Sequence, residues 1–346
     1  MGKVIRIGTR ESQLAVWQAT LVQQLLAKNN FESELVFIKS EGDIDLQTPL
    51  YEMGVQGIFT RSLDIALLTN KIDIAVHSMK DVPTQLAKGI AQAAVLERAS
   101  YKDIFVYKGN LDLINKELSF VNGETTIVNS ESSMVNNFSA MNETSHSELT
   151  IDHSPLTIRP FIIATSSIRR KAQWLNRYPN HQVENLRGNV NTRLRKVQEG
   201  NWNGAIFAAA GLERINLRPQ NAIDLDWMLP APAQGAIMII CREDDNLSLD
   251  ACGHFNHSDT ALCTKIERDF LRTLLGGCST PISALAEVKA DKIIFRGNIL
   301  SVDGKEKVDI EKTTGLEESL NLGNIAATEI LNKGADKIAD AVRNAK

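Results

Sequence analysis

The sequence predicts an α/β protein of two or three domains, and three observations lead to this prediction. The chain has 346 residues, whereas a single hydrophobic core stops growing at about 250–300 residues. Strand-like and helix-like segments alternate through the N-terminal half. The composition then changes twice, first over about 108–160, which is rich in Asn, Ser, Thr and Glu, and again in the C-terminal part.

The first elements follow from hydrophobic periodicity. Residues 4–8 have the composition of a strand. Ser12 can then cap a helix in which Leu14, Trp17, Leu21 and Leu25 form one apolar stripe. Further along, the pattern predicts a strand over 31–38, a helix over 60–68 and a strand over 71–76 that leads into His77–Pro83.

Three further strands, over 160–164, 182–186 and 205–208, each lead through polar residues into a helix. Strands separated by helices imply mainly parallel sheets with covered faces. The region 108–160 has no clean periodicity, and we interpret it as an insertion. The C-terminal part predicts a helix over 259–275, a glycine-rich turn, three strands with a hairpin at Asp303–Gly304, and a closing helix over 320–345. These elements form a small α+β domain.

Composition and charge exclude several classes of protein. With 43% hydrophobic and 23% charged residues, the chain is an ordinary globular protein rather than a disordered one. Its longest apolar runs are far shorter than a membrane span, and residues 1–6 lack an apolar signal core, so we expect a cytoplasmic protein that binds no membrane. The net charge of −4 provides no positive field for binding nucleic acid.

The four cysteines do not form a disulfide framework or a Cys-x-x-Cys metal clip, and we expect no metal. Cys241 and Cys263 lie in apolar or amphipathic stretches typical of packed thiols. Cys278 instead follows two glycines in a turn, where another molecule can approach the sulfur. A cysteine hydrolase would need a base near it, and His77 is the best candidate among six histidines.

Basic residues concentrate in one segment of this acidic protein. Between Thr165 and Lys196 there are eight basic residues and one acid, Glu184, a local excess of +7. Polar groups also follow the carboxyl ends of several predicted strands, where α/β sheets bind ligands. We therefore expect a cleft for a compact, multiply anionic ligand, formed by Arg10 and Ser12, Lys80 and Asp81, 165–170, 187–193, and Arg214.

Asp81 has two interpretations. Next to Lys80 it could form a surface ion pair worth about 0–1 kcal/mol. In a positive cleft it could instead act as a general acid that also stabilises a cationic intermediate.

Seven segments, in order, resemble the porphobilinogen deaminase family over nearly the whole chain apart from the insertion. The resemblance implies two domains like those of type II periplasmic binding proteins, flanking a cleft, plus a small C-terminal α+β domain. The implied bounds are 1–98 with 236–253, 99–235, and 254–346. The matching segments are Ile7–Ala15, His77–Pro83, Thr165–Arg170, Leu186–Leu194, Ala210–Arg214, Leu229–Ala236 and Leu275–Pro281.

The resemblance also implies a function. Members condense four porphobilinogen molecules head to tail, with release of ammonia, into the linear tetrapyrrole hydroxymethylbilane on a covalently bound dipyrromethane primer. By the same resemblance Asp81 is catalytic and Cys278 carries the primer through a thioether. The implied primer-binding residues are Lys80, Thr165, Ser166, Ser167, Arg169, Arg170 and Arg193, and the implied substrate-binding residues are Arg10, Ser12, Arg187, Gly188 and Arg214.

The residues give physical reasons for these roles. Each pyrrole carries an acetate and a propionate, so the growing chain accumulates carboxylates that arginines can bind.

The chain departs from the family pattern in a glycine-rich loop with Gln56 and Phe59, where Gln56 replaces a lysine common in the family. We expect a monomer because nothing indicates an interface. The alternatives left open are a non-catalytic two-lobed anion-binding or solute-binding protein and a cysteine hydrolase.

Overall fold

The computed structural model describes residues 3–39, 60–119, 160–274 and 280–344. These residues form three sheets, two with five strands and one with three. Most of the predicted insertion, together with Gln56, Phe59 and Cys278, lies outside the described residues.

Lobe 1 is built on the sheet with strand order β2-β1-β3-β10-β4. The four strands other than β10 share one direction, and β10 runs antiparallel to both of its neighbours. The strands are β1 (Ile5–Thr9), β2 (Ser33–Phe37), β3 (Ile74–Ser78), β4 (Ile90–Val95) and β10 (Ile237–Arg242), and the helices are α1 (Gln13–Lys28), α2 (Arg61–Leu68) and α7 (Asn246–Gly253).

Lobe 2 repeats this plan with strand order β7-β6-β8-β5-β9, and here β5 is the antiparallel strand. The predicted α/β class with mainly parallel sheets is therefore confirmed. The strands are β5 (Asp103–Tyr107), β6 (Ile162–Ala164), β7 (Gln182–Glu184), β8 (Gly204–Ala208) and β9 (Ala222–Asp224), and the helices are α3 (Leu111–Ser119), α4 (Ile168–Arg177), α5 (Val190–Glu199) and α6 (Ala209–Glu213).

The C-terminal body packs three helices on a three-stranded antiparallel sheet, which confirms the predicted α+β architecture with three strands. Phe270 and Phe295 meet edge to face in its core, with ring centroids 5.1 Å apart. Its strands are β11 (Ile282–Lys289), β12 (Lys292–Leu300) and β13 (Lys307–Gly315), and its helices are α8 (Ser258–Thr273), α9 (Leu322–Ile330) and α10 (Asp336–Asn344).

The two largest differences from the sequence-based element bounds have local causes. The strand predicted to begin at residue 71 begins at Ile74, because the N–H groups of Lys71 and Ile72 both donate to the Ala66 carbonyl and complete the end of α2. The closing helix predicted over 320–345 is two helices, because Gly334 adopts a φ of 100° between them.

Capping side chains fix where helices begin next to the cleft. The predicted cap at Ser12 is confirmed, since its hydroxyl accepts the Ala15 N–H. Ser167 caps α4 in the same way, and the Asn189 side chain caps α5. Each of these helices therefore starts shortly after the carboxyl end of a strand.

The C-terminal body contacts lobe 2 through its hairpin. Asn176 Nδ2 donates to the Gly304 carbonyl at 2.7 Å. Gly304 has a φ of 77°, and a Cβ there would lie 2.5 Å from the Ala172 carbonyl oxygen. The predicted Asp303–Gly304 turn thus requires glycine because its backbone approaches α4 closely.

Glu267 of α8 ties the C-terminal body to the two segments that connect the lobes. Its fully buried carboxylate accepts two hydrogen bonds from Arg98, at 2.6 and 3.1 Å, and one from the Ala233 N–H at 2.6 Å. It also accepts the Ala286 N–H of its own domain at 2.8 Å. One carboxylate therefore satisfies four donors from three parts of the chain.

We expect Glu267→Gln to destabilise the protein by about 3–5 kcal/mol, because the amide leaves Arg98 buried without a full counter-charge and turns an N–H donor towards donors. Urea unfolding measures the effect. Glu199→Gln is the control, since Glu199 is in an exposed pair with Arg195. Equal unfolding midpoints for the two variants would contradict this assignment.

Candidate active-site cleft

Asp81 lies in a single 3-10 turn, Met79–Asp81, directly after β3. It lines a small pocket at the start of α1. The predicted residues Arg10, Ser12 and Asp81, together with the suggested base His77, therefore come together. The remaining lining residues are Leu14, Ala15, Gln18, Thr60, Val76 and Ser78.

Cationic side chains from lobe 2 extend the site beyond this pocket. Burial lowers the pKa of both Lys80 and Arg193, and the positive charge of Arg170 lowers both pKa values further, whereas the negative charge of Asp81 opposes these shifts. The positive charge of Arg187 also lowers the pKa of Arg193. The charge of Asp81 thus reaches one predicted basic residue of each lobe, Lys80 of lobe 1 and Arg193 of lobe 2.

His77 is a neutral imidazole in this setting. Burial, followed by the positive charge of Arg10, lowers the pKa of His77 to about 3. Its buried Nε2 atom has no hydrogen-bond partner among the described residues. His77 is therefore uncharged near neutral pH and adds no positive charge to the pocket.

Sequence reasoning missed Asp103, which lies at the centre of the basic cluster. Its buried carboxylate accepts hydrogen bonds from Arg169 Nη2 at 2.9 Å and from Arg170 Nη2 at 2.7 Å. Burial alone would raise the pKa of Asp103, but the charges of the two arginines outweigh it and hold that pKa well below its usual range. An acid at the first position of the otherwise apolar strand β5 was the available signal.

Asp103 changes the charge balance of the cleft. The excess of +7 counted along the chain overstated the positive charge, because Asp103 lies outside the counted segment and pairs with Arg169 and Arg170. Arg195 also turns away to an exposed pair with Glu199, and Arg177 stacks over Trp227 at 4.9 Å. Among the described residues, the uncompensated charge of the cleft is smaller than predicted.

The hydroxyl groups predicted to bind acids make bonds within lobe 2. Thr165 Oγ1 accepts the Ser167 N–H at 3.2 Å, and Ser166 Oγ donates to the Leu186 carbonyl. Ser167 Oγ accepts the Arg170 N–H at 3.4 Å. These side chains shape the corner between β6 and α4 that presents the two arginines.

Gly188 shapes the corresponding corner before α5. It has a φ of 116°, and a Cβ there would lie 2.7 Å from Thr192 Cγ2. Its carbonyl accepts a hydrogen bond from Arg193 Nε at 2.7 Å. The glycine therefore permits the turn that holds the Arg193 side chain.

Gln234 is a second residue that sequence reasoning did not assign, although it lies in one of the matching segments. Its Nε2 donates to Asp103 Oδ1 and to the Tyr101 carbonyl, each at 2.8 Å, and its Oε1 accepts from Lys80 Nζ at 3.3 Å. A single amide thereby connects Lys80 of lobe 1 to the Asp103 pair of lobe 2.

The two lobes also meet at the start of α1. Asn191 Nδ2 donates to Gln13 Oε1 at 2.9 Å. The Arg214 guanidinium lies 5.7 Å from the centre of the Trp17 ring and donates to the Gly235 carbonyl at 2.7 Å. Burial lowers the pKa of Arg214 to about 10, so it stays charged at neutral pH.

The arrangement suits a polycarboxylate that reacts beside a carboxylate. Guanidinium and ammonium groups bind acid groups, while Asp81 can stabilise a developing cation and move a proton. In the described part of the chain, no group of three or more His, Cys, Asp or Glu residues could hold a metal ion. Within the same ranges, no helix has the length and apolar composition needed to cross a bilayer.

Comparison with known proteins gives consistent matches. A family model described as "Porphobilinogen deaminase, dipyromethane cofactor binding domain" matches residues 5–250, and one described as "Porphobilinogen deaminase, C-terminal domain" matches residues 261–332. A protein from Chloroherpeton thalassium named porphobilinogen deaminase is 34% identical over 100% of this chain and 96% of its own length. A protein of the same name from Trichlorobacter lovleyi is 34% identical over 98% and 97%.

We expect Lys80 to make stability rise with pH in the ligand-free protein. Burial, and then the charge of Arg170, lowers the pKa of Lys80 from 10.5 to about 8. Between these values the unfolded chain binds a proton that the folded protein has released, so stability rises, by at most about 1.4 kcal/mol per pH unit. Urea unfolding from pH 7 to 10 should show this rise relative to Lys80→Met, and parallel curves would contradict it.

Proposed function

The chain belongs to the porphobilinogen deaminase family, and from that premise we propose how its own residues carry out the family's reaction. That reaction condenses four porphobilinogen molecules head to tail into hydroxymethylbilane and releases ammonia at each addition. The observation that carries the proposal is the electrostatic interaction of Asp81 with Lys80 and Arg193, on both of which Arg170 also acts. The solute-binding and hydrolase alternatives lose their basis with the family assignment.

The basic cluster fits a dipyrromethane primer, the cofactor for which the matching domain is described. Arg170 Nε is buried without a hydrogen-bond partner among the described residues, which suits an additional anionic group. When bound, the primer supplies the pyrrole carbon to which the next unit is joined. The residues assigned to its acid groups are Lys80, Thr165, Ser166, Ser167, Arg169, Arg170 and Arg193.

The members of this set differ in what they contribute. The charge of Asp81 acts on Lys80 and Arg193, and we assign these two cations to direct contact with the acid groups. Arg169 is paired with Asp103 through Nη2 and with the Leu229 carbonyl through Nη1. Its contribution is therefore a long-range positive potential, and the three hydroxyls maintain the corner that presents Arg170.

Asp81 acts on the incoming substrate. Loss of ammonia from the aminomethyl group leaves a cationic azafulvene, which a nearby carboxylate stabilises. In its protonated form Asp81 can pass a proton to the leaving amine, and the carboxylate that remains can then accept a proton from the pyrrole nitrogen.

The incoming pyrrole is held at the start of α1 and α5. Arg10, Ser12, Arg187, Gly188 and Arg214 are assigned to its acetate and propionate or to those of the growing chain. Arg10 and Ser12 line the same pocket as Asp81, so a carboxylate bound there keeps the aminomethyl group near the catalytic carboxylate. Gln56 and Phe59, which lie outside the described residues, keep their assignment to an active-site loop.

Cys278 is assigned as the point of covalent attachment. The other three thiols are buried, and burial raises the pKa of Cys241 to about 11 and those of Cys252 and Cys263 to about 12. Such thiols form almost no thiolate at neutral pH and are inaccessible to a pyrrole electrophile.

We also propose that the protein is a cytoplasmic monomer that binds no nucleic acid or membrane. Its three domains span residues 1–98 with 236–253, 99–235, and 254–346.

Intact mass spectrometry tests the attachment site. The purified protein should carry an adduct of two pyrrole units, and Cys278→Ala should lack it while Cys263→Ala keeps it. A fully active wild-type protein without the adduct would contradict the proposal.

Asp81→Asn tests the catalytic assignment. Because the amide neither carries charge nor transfers a proton, porphobilinogen consumption should fall about 10²–10⁴-fold, with the adduct still present. Asp291→Asn, in the exposed turn between β11 and β12, should behave as wild type. Ordinary turnover by Asp81→Asn would remove Asp81 from this role.

A further inference from the structure

Arg268 reaches from the C-terminal body to the turn that carries Asp81. It lies on α8 and is buried, with 8% of its surface exposed. Its Nη1 donates to the carbonyls of Val82 at 2.9 Å and Met79 at 3.3 Å, and its Nη2 donates to the Pro83 carbonyl at 2.5 Å. A side chain of one domain therefore binds the backbone on both sides of Asp81 in another domain.

This contact matters because the turn has little regular structure of its own. It is a single 3-10 turn of three residues, in which the Val82 N–H donates to the Met79 carbonyl at 3.1 Å. The Met79 N–H donates to the Ala236 carbonyl at 3.0 Å and fixes the start of the turn to lobe 1. The guanidinium holds the other end, where the chain leaves the turn after Asp81.

The helix that carries Arg268 is itself firmly placed. Ile266 and Phe270 on α8 are fully buried in the C-terminal core. The neighbouring Glu267 binds the segments that connect the lobes. Any displacement of Arg268 relative to Asp81 would therefore require movement of the whole C-terminal body.

We propose that Arg268 is a positioning residue, which sets the place of Asp81 relative to the domain that contains Cys278. The inference rests on the proposed function, in which Asp81 is catalytic. Because Arg268 binds backbone carbonyls on both sides of Asp81, it acts on the condensation step through Asp81. Substrate binding at Arg10 and Ser12 does not depend on it.

The test compares Arg268→Met and Arg268→Lys with Arg272→Met, using holoenzyme and expressing rates per mole of adduct-bearing protein. Arg272 lies one turn further along α8, is half exposed and pairs with Asp269, so Arg272→Met should keep wild-type rates. Misplacing a catalytic group by about 1 Å costs on the order of 10²-fold. Arg268→Met should lower kcat by about 10–10²-fold with KM within about twofold. Arg268→Lys should recover part of the loss, since an ammonium can still bind the carbonyls.

A double-mutant cycle with Asp81→Asn separates positioning from a general structural effect. If Arg268 acts through Asp81, Arg268→Met should cause little further loss in the Asp81→Asn background, as single-turnover mass spectrometry of the adduct would show. Full additivity, an unchanged kcat in Arg268→Met, or a loss confined to KM would overturn the inference. Ordinary turnover by Asp81→Asn alone would instead overturn the proposed function, so the two failures are distinguishable.

Discussion

The buried pairing of Asp103 with Arg169 and Arg170 is the interaction on which the cleft depends. Two adjacent arginines in the first turn of α4 repel each other and lie at the positive end of the helix dipole. Asp103 lies opposite them on β5 and accepts one hydrogen bond from each. Without this carboxylate, burying two guanidinium groups side by side would cost several kcal/mol. The cleft can therefore concentrate cations only because it contains an internal anion.

The same pairing joins the lobes. Gln234, in the segment that returns the chain from lobe 2 to lobe 1, bonds both to Asp103 and to Lys80. Lys80 lies next to Asp81, so the Asp81 turn is connected through one amide to the Asp103–arginine pairing. The charges of the site and its geometry consequently depend on the same few hydrogen bonds.

The C-terminal body contacts both the Asp81 turn and the segments that connect the lobes. Glu267 and Arg268 are consecutive on α8, and they point to the connecting segments and to the Asp81 turn respectively. One helix thus binds both the segments that connect the lobes and the backbone around Asp81. The C-terminal body therefore contributes two buried charged side chains, Glu267 and Arg268, to the packing behind the cleft.

The sequence by itself determined the α/β class, the cap at Ser12, the buried thiols at Cys241 and Cys263, and the ordered motifs that identify the family. Periodicity, capping and motif order are local properties, so one chain suffices to detect them. Only the tertiary structure decided that Asp103 offsets the arginines, that Thr165 and Ser166 bond within lobe 2, and that Arg195 turns outward to Glu199. These outcomes depend on which residues meet after folding. Asp103 is 66 residues before Arg169 in the chain, and no local pattern encodes a pairing at that separation.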